Sequence, residues 1–297
     1  MPSMVVEGLR PLNLSGRVYR VKLGNYVESL GRGLWECVRI GSGGWGVVYK
    51  CGSGGRVYAV KVPIGYEDVI EGGVPPTVRE SLVRRITEEA ETIKVLRHRN
   101  VVRLIDYSTH VPLLVYEYAE EGSLEYQLSL GWRPGLRDVL VVALHVADGL
   151  RYIHSRGLVH GDIKSGNILF SGGVAKIGDF STLTRLLQTI SKTGGGYTPG
   201  WRAPEQVYAD IMERSLEEGY ENRVDVYQLG NLILYLLTGE TLDGYERVNR
   251  ELARRRVEGI RDRGVRELVW EMLSLNPWDR PASDEVVRRL SEYIRVI

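Results

Sequence analysis

The chain has 297 residues, 43% of them hydrophobic and 26% charged, with a formal net charge of +1. That composition is ordinary for a globular protein, and so even a balance excludes bulk electrostatic attraction to nucleic acid or to an acidic membrane. Residues 1–8 lack a basic region followed by an apolar run, and the longest apolar stretches, 139–147 and 229–237, are too short to span a bilayer. A soluble, cytoplasmic chain without a membrane partner is therefore expected.

Residues 1–33 read as an N-terminal extension without a motif, apart from the alternation of Val18, Tyr19, Val21 and Leu23. Segments 35–40, 47–51 and 56–62 then read as antiparallel strands, separated by glycine turns at 41–46 and 52–55. The two cysteines, Cys37 and Cys51, flank the first of these hairpins, centred near Gly44. Two cysteines make neither a disulfide framework nor a zinc site, and disulfides are rare inside cells. They are read as two half-buried thiols, with their pairing left open.

A helical pattern spans about 77–97, with Leu82, Ile86, Ile93 and Leu96 on or near one face. Strand-like segments return at 101–107 and 113–118. Beyond Glu120 the pattern is helical at 137–156, 223–238, 266–273 and 283–296, and only 157–176 looks like short strands and loops. The stretch 247–266 holds eight arginines, mixed with Glu246 just before it and with Glu251, Glu258 and Asp262; it reads as a solvated helical face laced with i,i+4 pairs, with docking of an acidic partner or RNA as the alternative. A small β-rich lobe with one helix, followed by a larger helical lobe, is an α+β architecture. The expected division is 1–33, 34–118 and 119–297, with a hinge about 117–122.

Three groups of residues carry chemistry. Gly41-Ser42-Gly43-Gly44-Trp45-Gly46-Val47-Val48 fits G-x-G-x-x-G-x-V. A dinucleotide fold would follow such glycines with a helix, whereas a strand follows here, so backbone amides of a hairpin would lie over phosphates. Tyr58-Ala59-Val60-Lys61 comes next, and lysine is scarce in this arginine-rich chain, so Lys61 on a strand reads as an anion holder. Glu88, Glu89 and Glu91 on the following helix are its possible partners. Finally, His160-Gly161-Asp162-Ile163-Lys164-Ser165-Gly166-Asn167 precedes Asp179-Phe180-Ser181. Phosphoryl transfer asks for a carboxylate to accept a hydroxyl proton, a nearby cation, and oxygen ligands for a metal ion. Asp162, Lys164, and the pair Asn167 and Asp179 supply these in order.

On these motifs the chain resembles the eukaryotic-type Ser/Thr protein kinases over about residues 34 to 295. Ala203-Pro204-Glu205, Asp225-Val226-Tyr227-Gln228-Leu229-Gly230, and Arg280 within Asn276-Pro277-Trp278-Asp279-Arg280-Pro281 extend the likeness. The resemblance implies a bilobal protein-kinase fold with an antiparallel β-sheet N-lobe, one main helix there, and a mostly helical C-lobe. It implies ATP as phosphoryl donor, Mg²⁺ with Mn²⁺ as a substitute, and protein substrates with Ser or Thr acceptors. It leaves the oligomeric state open. Asp162, Lys164, Lys61 and Glu89 are implied as catalytic, with Glu89 preferred because it lies nine positions before His98. The longer gap back to Lys61 implies an insertion around 65–76. Nucleotide contacts are implied for Ile40, Gly41, Gly43, Gly46, Val48, Ala59, Lys61, Tyr116, Glu117, Ala119, Ser123 and Leu169, with Tyr116 behind the adenine. Asn167 and Asp179 are implied as metal ligands, and Glu205 with Arg280 as a buried structural pair.

Two positions depart from the family pattern. Gly161 stands where an arginine usually precedes the catalytic aspartate and grips an activation-segment phosphate. Activity is therefore expected not to depend on phosphorylation of Thr189, Ser191, Thr193 or Tyr197 through that arginine. Ser181 replaces a glycine after Asp179-Phe180, and a serine at positive φ is expected to restrict flipping of that segment. Lys164, and Thr198 seven residues before Glu205, resemble Ser/Thr kinases more than tyrosine kinases. The rival readings are a small-molecule phosphotransferase of kinase-like fold, in which His-Gly-Asp is frequent, and a nucleotide-binding scaffold, which usually lacks Lys61, Asp162 or Asp179.

Overall fold

The computed structural model describes residues 4–43, 46–71, 80–185 and 198–297. Gly44, Trp45, residues 72–76 of the expected insertion, and Thr189, Ser191, Thr193 and Tyr197 lie outside the described residues. The chain divides into two compact units, Pro11–Glu120 and a larger one joining Met1–Arg10 to Glu121–Ile297.

The smaller unit is built on a six-stranded antiparallel sheet. Its elements are β1 (Val18–Val21), β2 (Trp35–Gly43), β3 (Gly46–Ser53), β4 (Arg56–Pro63), helices α1 (Asp68–Glu71) and α2 (Glu80–Ile93), β5 (Leu104–Ser108) and β6 (Leu113–Glu117), with strand order β1-β2-β3-β4-β6-β5. Side chains alternate across each strand, so Val47, Tyr49 and Cys51 of β3 all enter the core with Trp35, Val60, Val62, Leu113 and Val115. Ile86, Ala90 and Ile93 of α2, four and three residues apart, form its buried stripe, and α2 packs on β5 and β6.

Two expectations change here. Residues 11–33 are no detached extension: β1 pairs along β2, and Leu23, Val27 and Leu30 from the turns after it are buried in the same core. Cys37 and Cys51 are not thiols but a disulfide, both fully buried. The β2–β3 register places them directly opposite, with Cα atoms 4.1 Å apart, which brings the two sulfurs within bonding reach.

The larger unit comprises β7 (Gly122–Ser123), α3 (Leu124–Ser129), α4 (Leu136–His154), β8 (Leu158–Val159), β9 (Ile168–Ser171), β10 (Val174–Ile177), β11 (Thr184–Arg185), α5 (Ala209–Glu217), α6 (Arg223–Thr238), α7 (Gly244–Arg247), α8 (Arg250–Glu258), α9 (Arg263–Met272) and α10 (Ser283–Val296). Helices α4 and α6 are apolar around most of their circumference and form its centre, α4 packing on α6 and α10 and α6 on α9. Residues 4–10 run along this unit: Val6 N–H donates to Gly173 O at 2.8 Å, and Arg10 exchanges backbone hydrogen bonds with the Gln127 amide. Among the described residues no helix is long and apolar enough to cross a membrane.

The arginine-rich stretch is only partly a solvated face. Arg254–Glu258 and Arg263–Glu267 are exposed i,i+4 pairs. Arg247, in contrast, is buried against the Trp270 ring and donates to Leu273 O, while Arg256 grips Glu246 through both guanidinium nitrogens. Tertiary packing, invisible to charge spacing, claims these two.

Candidate active site

In the smaller unit, the β2–β3 hairpin carries Ile40, Gly41, Gly43, Gly46 and Val48, with Gly43 opposite Gly46 and Gly41 opposite Val48. A register shift between Arg39 and Gly41 leaves Ile40 at the irregularity. Gly46 is required by close packing, since a Cβ there would sit 2.8 Å from Val62 O and 3.3 Å from Lys61 Cγ. Val48 faces Lys61 across the β3–β4 ladder, and Ala59 faces Tyr116 across β4–β6. Lys61 Nζ lies 3.6 Å from Glu89 Oε1 on α2, both side chains largely shielded from solvent. The Tyr116 hydroxyl donates to the same Glu89 oxygen at 3.1 Å. Glu117 ends β6, and its N–H is taken by Arg103 O at 3.0 Å; Ala119 follows, buried.

In the larger unit the loop between β8 and β9 is suspended from one fully buried carboxylate. Asp225, in the first turn of α6, accepts from His160 N–H (2.9 Å) and Gly161 N–H (2.7 Å), and pairs with His154 Nε2 (2.9 Å). Burial alone would raise this carboxyl, but the His154 hydrogen bond, the His154 and His160 side chains and the Gly161 N–H outweigh it and hold Asp225 below the usual carboxylate range.

The loop thus held presents Asp162, whose carboxylate accepts from Lys164 Nζ (2.8 Å) and Asn167 Nδ2 (3.0 Å) on one oxygen and from Thr198 Oγ1 (3.1 Å) on the other. Thr198 also accepts from Lys164, closing a triangle. Asn167 Nδ2 further donates to Asp162 O at 2.8 Å. Leu169 on β9 pairs with Ser123, which caps α3 by accepting from Tyr126 N–H at 3.1 Å.

The β9–β10 hairpin then delivers Asp179: Gly178 N–H donates to Asn167 O at 2.9 Å, which ties the two oxygen-bearing side chains to one backbone junction. Asp179 is exposed and takes φ +53°, and it is the one described non-glycine residue with positive φ. Phe180 is buried edge-on against the His160 ring, at 5.8 Å between centroids. Ser181, expected to carry the positive-φ penalty, sits instead in the 3-10 turn Phe180–Thr182 without it. The left-handed residue is the aspartate, a type that tolerates this region better than most.

The pair read from sequence at Glu205 and Arg280 forms two hydrogen bonds of 2.5 and 2.7 Å, with both side chains essentially inaccessible. Arg202 and Asp243 make a second, bidentate pair at 3.0 Å. Sequence reasoning missed Gln206 and Gln228, which bond the loop that carries Asp162; a polar residue entering the apolar α6 was the available signal for Gln228.

The donor set fits a hard divalent cation. Asn167 commits its amide nitrogen to Asp162, which leaves the carbonyl oxygen as the atom it offers, and Asp179 adds a carboxylate. Two protein oxygens, completed by phosphate oxygens and water, are what a magnesium-sized ion takes in a nucleotide site.

Residues 36–290 match the family model described as Protein kinase domain. The chain is 34% identical over 242 residues to Receptor-like protein kinase 5 of Arabidopsis thaliana, covering 72% of this chain and 22% of that protein. It is 37% identical over 206 residues to the G-type lectin S-receptor-like serine/threonine-protein kinase LECRK1 of Oryza sativa subsp. indica, covering 67% of this chain and 23% of that protein. To Mitogen-activated protein kinase kinase kinase 1 of Arabidopsis thaliana it is 29% identical over 262 residues, 84% of this chain and 40% of that protein. The chain thus spans about a fifth of the length of the two receptor-like relatives.

Proposed function

The chain belongs to the protein kinase family, and from that premise we propose that it transfers the γ-phosphate of ATP to serine and threonine hydroxyls of proteins, its own among them. The observation that carries the reading is the triangle of Asp162, Lys164 and Thr198. In the proposed reaction the acceptor hydroxyl gives its proton to the Asp162 carboxylate as its oxygen bonds to the γ-phosphorus and the bond to the β-phosphate oxygen breaks. Lys164 sets a positive charge beside the transferring group, and Asn167 and Thr198 fix the rotamer of Asp162. Lys61, aligned by Glu89, holds the α- and β-phosphates. Asn167 and Asp179 would hold Mg²⁺, with Mn²⁺ as a substitute, which when bound would supply positive charge to the phosphate oxygens. The glycines of the β2–β3 hairpin, with Val48, Ala59, Tyr116, Glu117, Ala119 and Leu169, form the nucleotide contacts of the proposal. An ATP-dependent enzyme works where ATP is, so a cytoplasmic setting stays part of it.

The direct test is transfer from labelled ATP with Mg²⁺ to the protein itself and to casein, beside Asp162→Ala. Label on serine or threonine, reduced about 10²–10⁴-fold in the variant, is the expected result. ATP binding without protein labelling at any concentration would reject it in favour of a small-molecule phosphotransferase.

A further inference from the structure

The residue before Asp162 is held in an uncommon way. Gly161 has φ +79°, in the left-handed region that favours glycine. That carbonyl accepts two amide donors, Gln206 Nε2 at 2.9 Å and Gln228 Nε2 at 3.0 Å. The two glutamines also bond each other, Gln228 Nε2 donating to Gln206 Oε1 at 3.1 Å. The remaining capacity of each amide oxygen goes to backbone: Gln206 Oε1 accepts from Ala203 N–H at 2.9 Å, and Gln228 Oε1 from Ile163 N–H at 2.8 Å. With its N–H on Asp225, Gly161 is pinned through both of its backbone polar groups.

The two glutamines come from different parts of the unit. Gln228 is buried in α6, whereas Gln206 closes the 3-10 turn Pro204–Gln206, whose Glu205 is locked to Arg280. The same stretch begins with Thr198 on the Asp162 carboxylate. It is therefore fastened to the catalytic loop at both ends, and its far fastening involves no formal charge. An arginine in place of Gly161 would need a phosphate to engage; the amide pair needs none.

Resting on the proposed protein-kinase reading, we infer that Gln206 and Gln228 are positioning residues, a neutral clamp that orders residues 198–206 against Asp162 without activation-segment phosphorylation. The clamp acts on the acceptor side of the reaction, so its loss falls on turnover and on the protein substrate while nucleotide binding is left alone.

The experiment compares wild type with Gln206→Ala, Gln206→Glu, and a variant with Thr189, Ser191 and Thr193 changed to Ala and Tyr197 to Phe. Each is assayed with Mg-ATP and casein for kcat and KM, with ATP affinity and thermal midpoint measured alongside. Gln206→Glu is the decisive variant, because it keeps an oxygen for the Ala203 N–H, which Gln206→Ala orphans just as Gln228→Ala orphans that of Ile163. The expected result is a fall of about tenfold in kcat/KM for casein in both Gln206 variants, the size of one or two lost hydrogen bonds, with ATP affinity unchanged in both and the thermal midpoint unchanged in Gln206→Glu. The four-hydroxyl variant keeps turnover within about twofold of wild type, and Gln206→Glu regains ground as pH falls, because a protonated carboxyl again donates to Gly161 O. Gln206 variants as active as wild type overturn the clamp. So does a loss that merely tracks the fraction of enzyme able to bind ATP, or a collapse of the four-hydroxyl variant. A wild-type protein that labels no protein, while binding ATP, fails earlier, at the reading on which the clamp rests.

Discussion

Glu89 Oε1 accepts from the Tyr116 hydroxyl at 3.1 Å and forms an ion pair with Lys61 Nζ at 3.6 Å. The phenol is thus a second fastening on the carboxylate that aligns Lys61. Tyr116→Phe keeps the ring and removes that bond alone, so kcat/KM for ATP is expected to fall about three- to tenfold while KM for a protein substrate is unchanged. Steady-state kinetics with ATP as the varied substrate check this, and unchanged ATP parameters would show that the hydroxyl holds nothing. At this scale the sequence was most legible where chemistry demands particular residue types at short spacing. Asp162, Lys164 and Asn167 lie within six positions and meet in the structure. The Tyr116–Glu89 and Gln228–Gly161 bonds join residues 27 and 67 positions apart, and no local pattern announces them.

The β2–β3 hairpin is closed at its base by the disulfide, which encloses a loop of sequence separation 14. Cross-linking a loop of that length removes unfolded-state entropy worth about 3 kcal/mol. The double variant Cys37→Ser, Cys51→Ser is expected to lose about that much, read from urea unfolding of the two proteins side by side; coincident curves would contradict it. Both sulfurs are fully buried, so a reductant reaches them only after the hairpin opens. The hairpin itself was legible, and the pairing register follows from it. The redox state stays open at the level of sequence, because the rarity of disulfides inside cells pulls against the closeness that the hairpin imposes. Among helices, α6 and α10 were legible at both ends because long apolar periodicity runs through them. Helices α3, α5 and α7 were not. Helix α5 buries little more than Met212 and Ser215, so packing around it, more than its own pattern, makes it helical.

Across the whole chain, the two compact units divide between Glu120 and Glu121. The first 33 residues were not legible as parts of both units, since residues 4–10 attach through backbone hydrogen bonds that carry no side-chain signature. Asp225 gives the molecule a predictable acid limit. Its native value lies below its unfolded one, so the unfolded chain takes up the proton first as pH falls. Its contribution is complete above the ordinary carboxylate value, about pH 4, and is lost as pH drops through the native value. Unfolding free energies measured from pH 7 to 3 should fall on the acid side in wild type and fall less steeply in Asp225→Asn; equal slopes would exclude Asp225 as the source. Gly161 also bears on how such a chain can change over generations. An arginine arriving there by Gly161→Arg would meet a backbone at φ +79°, at a cost of about 1–2 kcal/mol, and the peptide could relax only by leaving both glutamines. A single substitution is therefore not expected to install phosphate control here, since an arginine at 161 would have to give up the Gln206 and Gln228 hydrogen bonds before it could reach a phosphate.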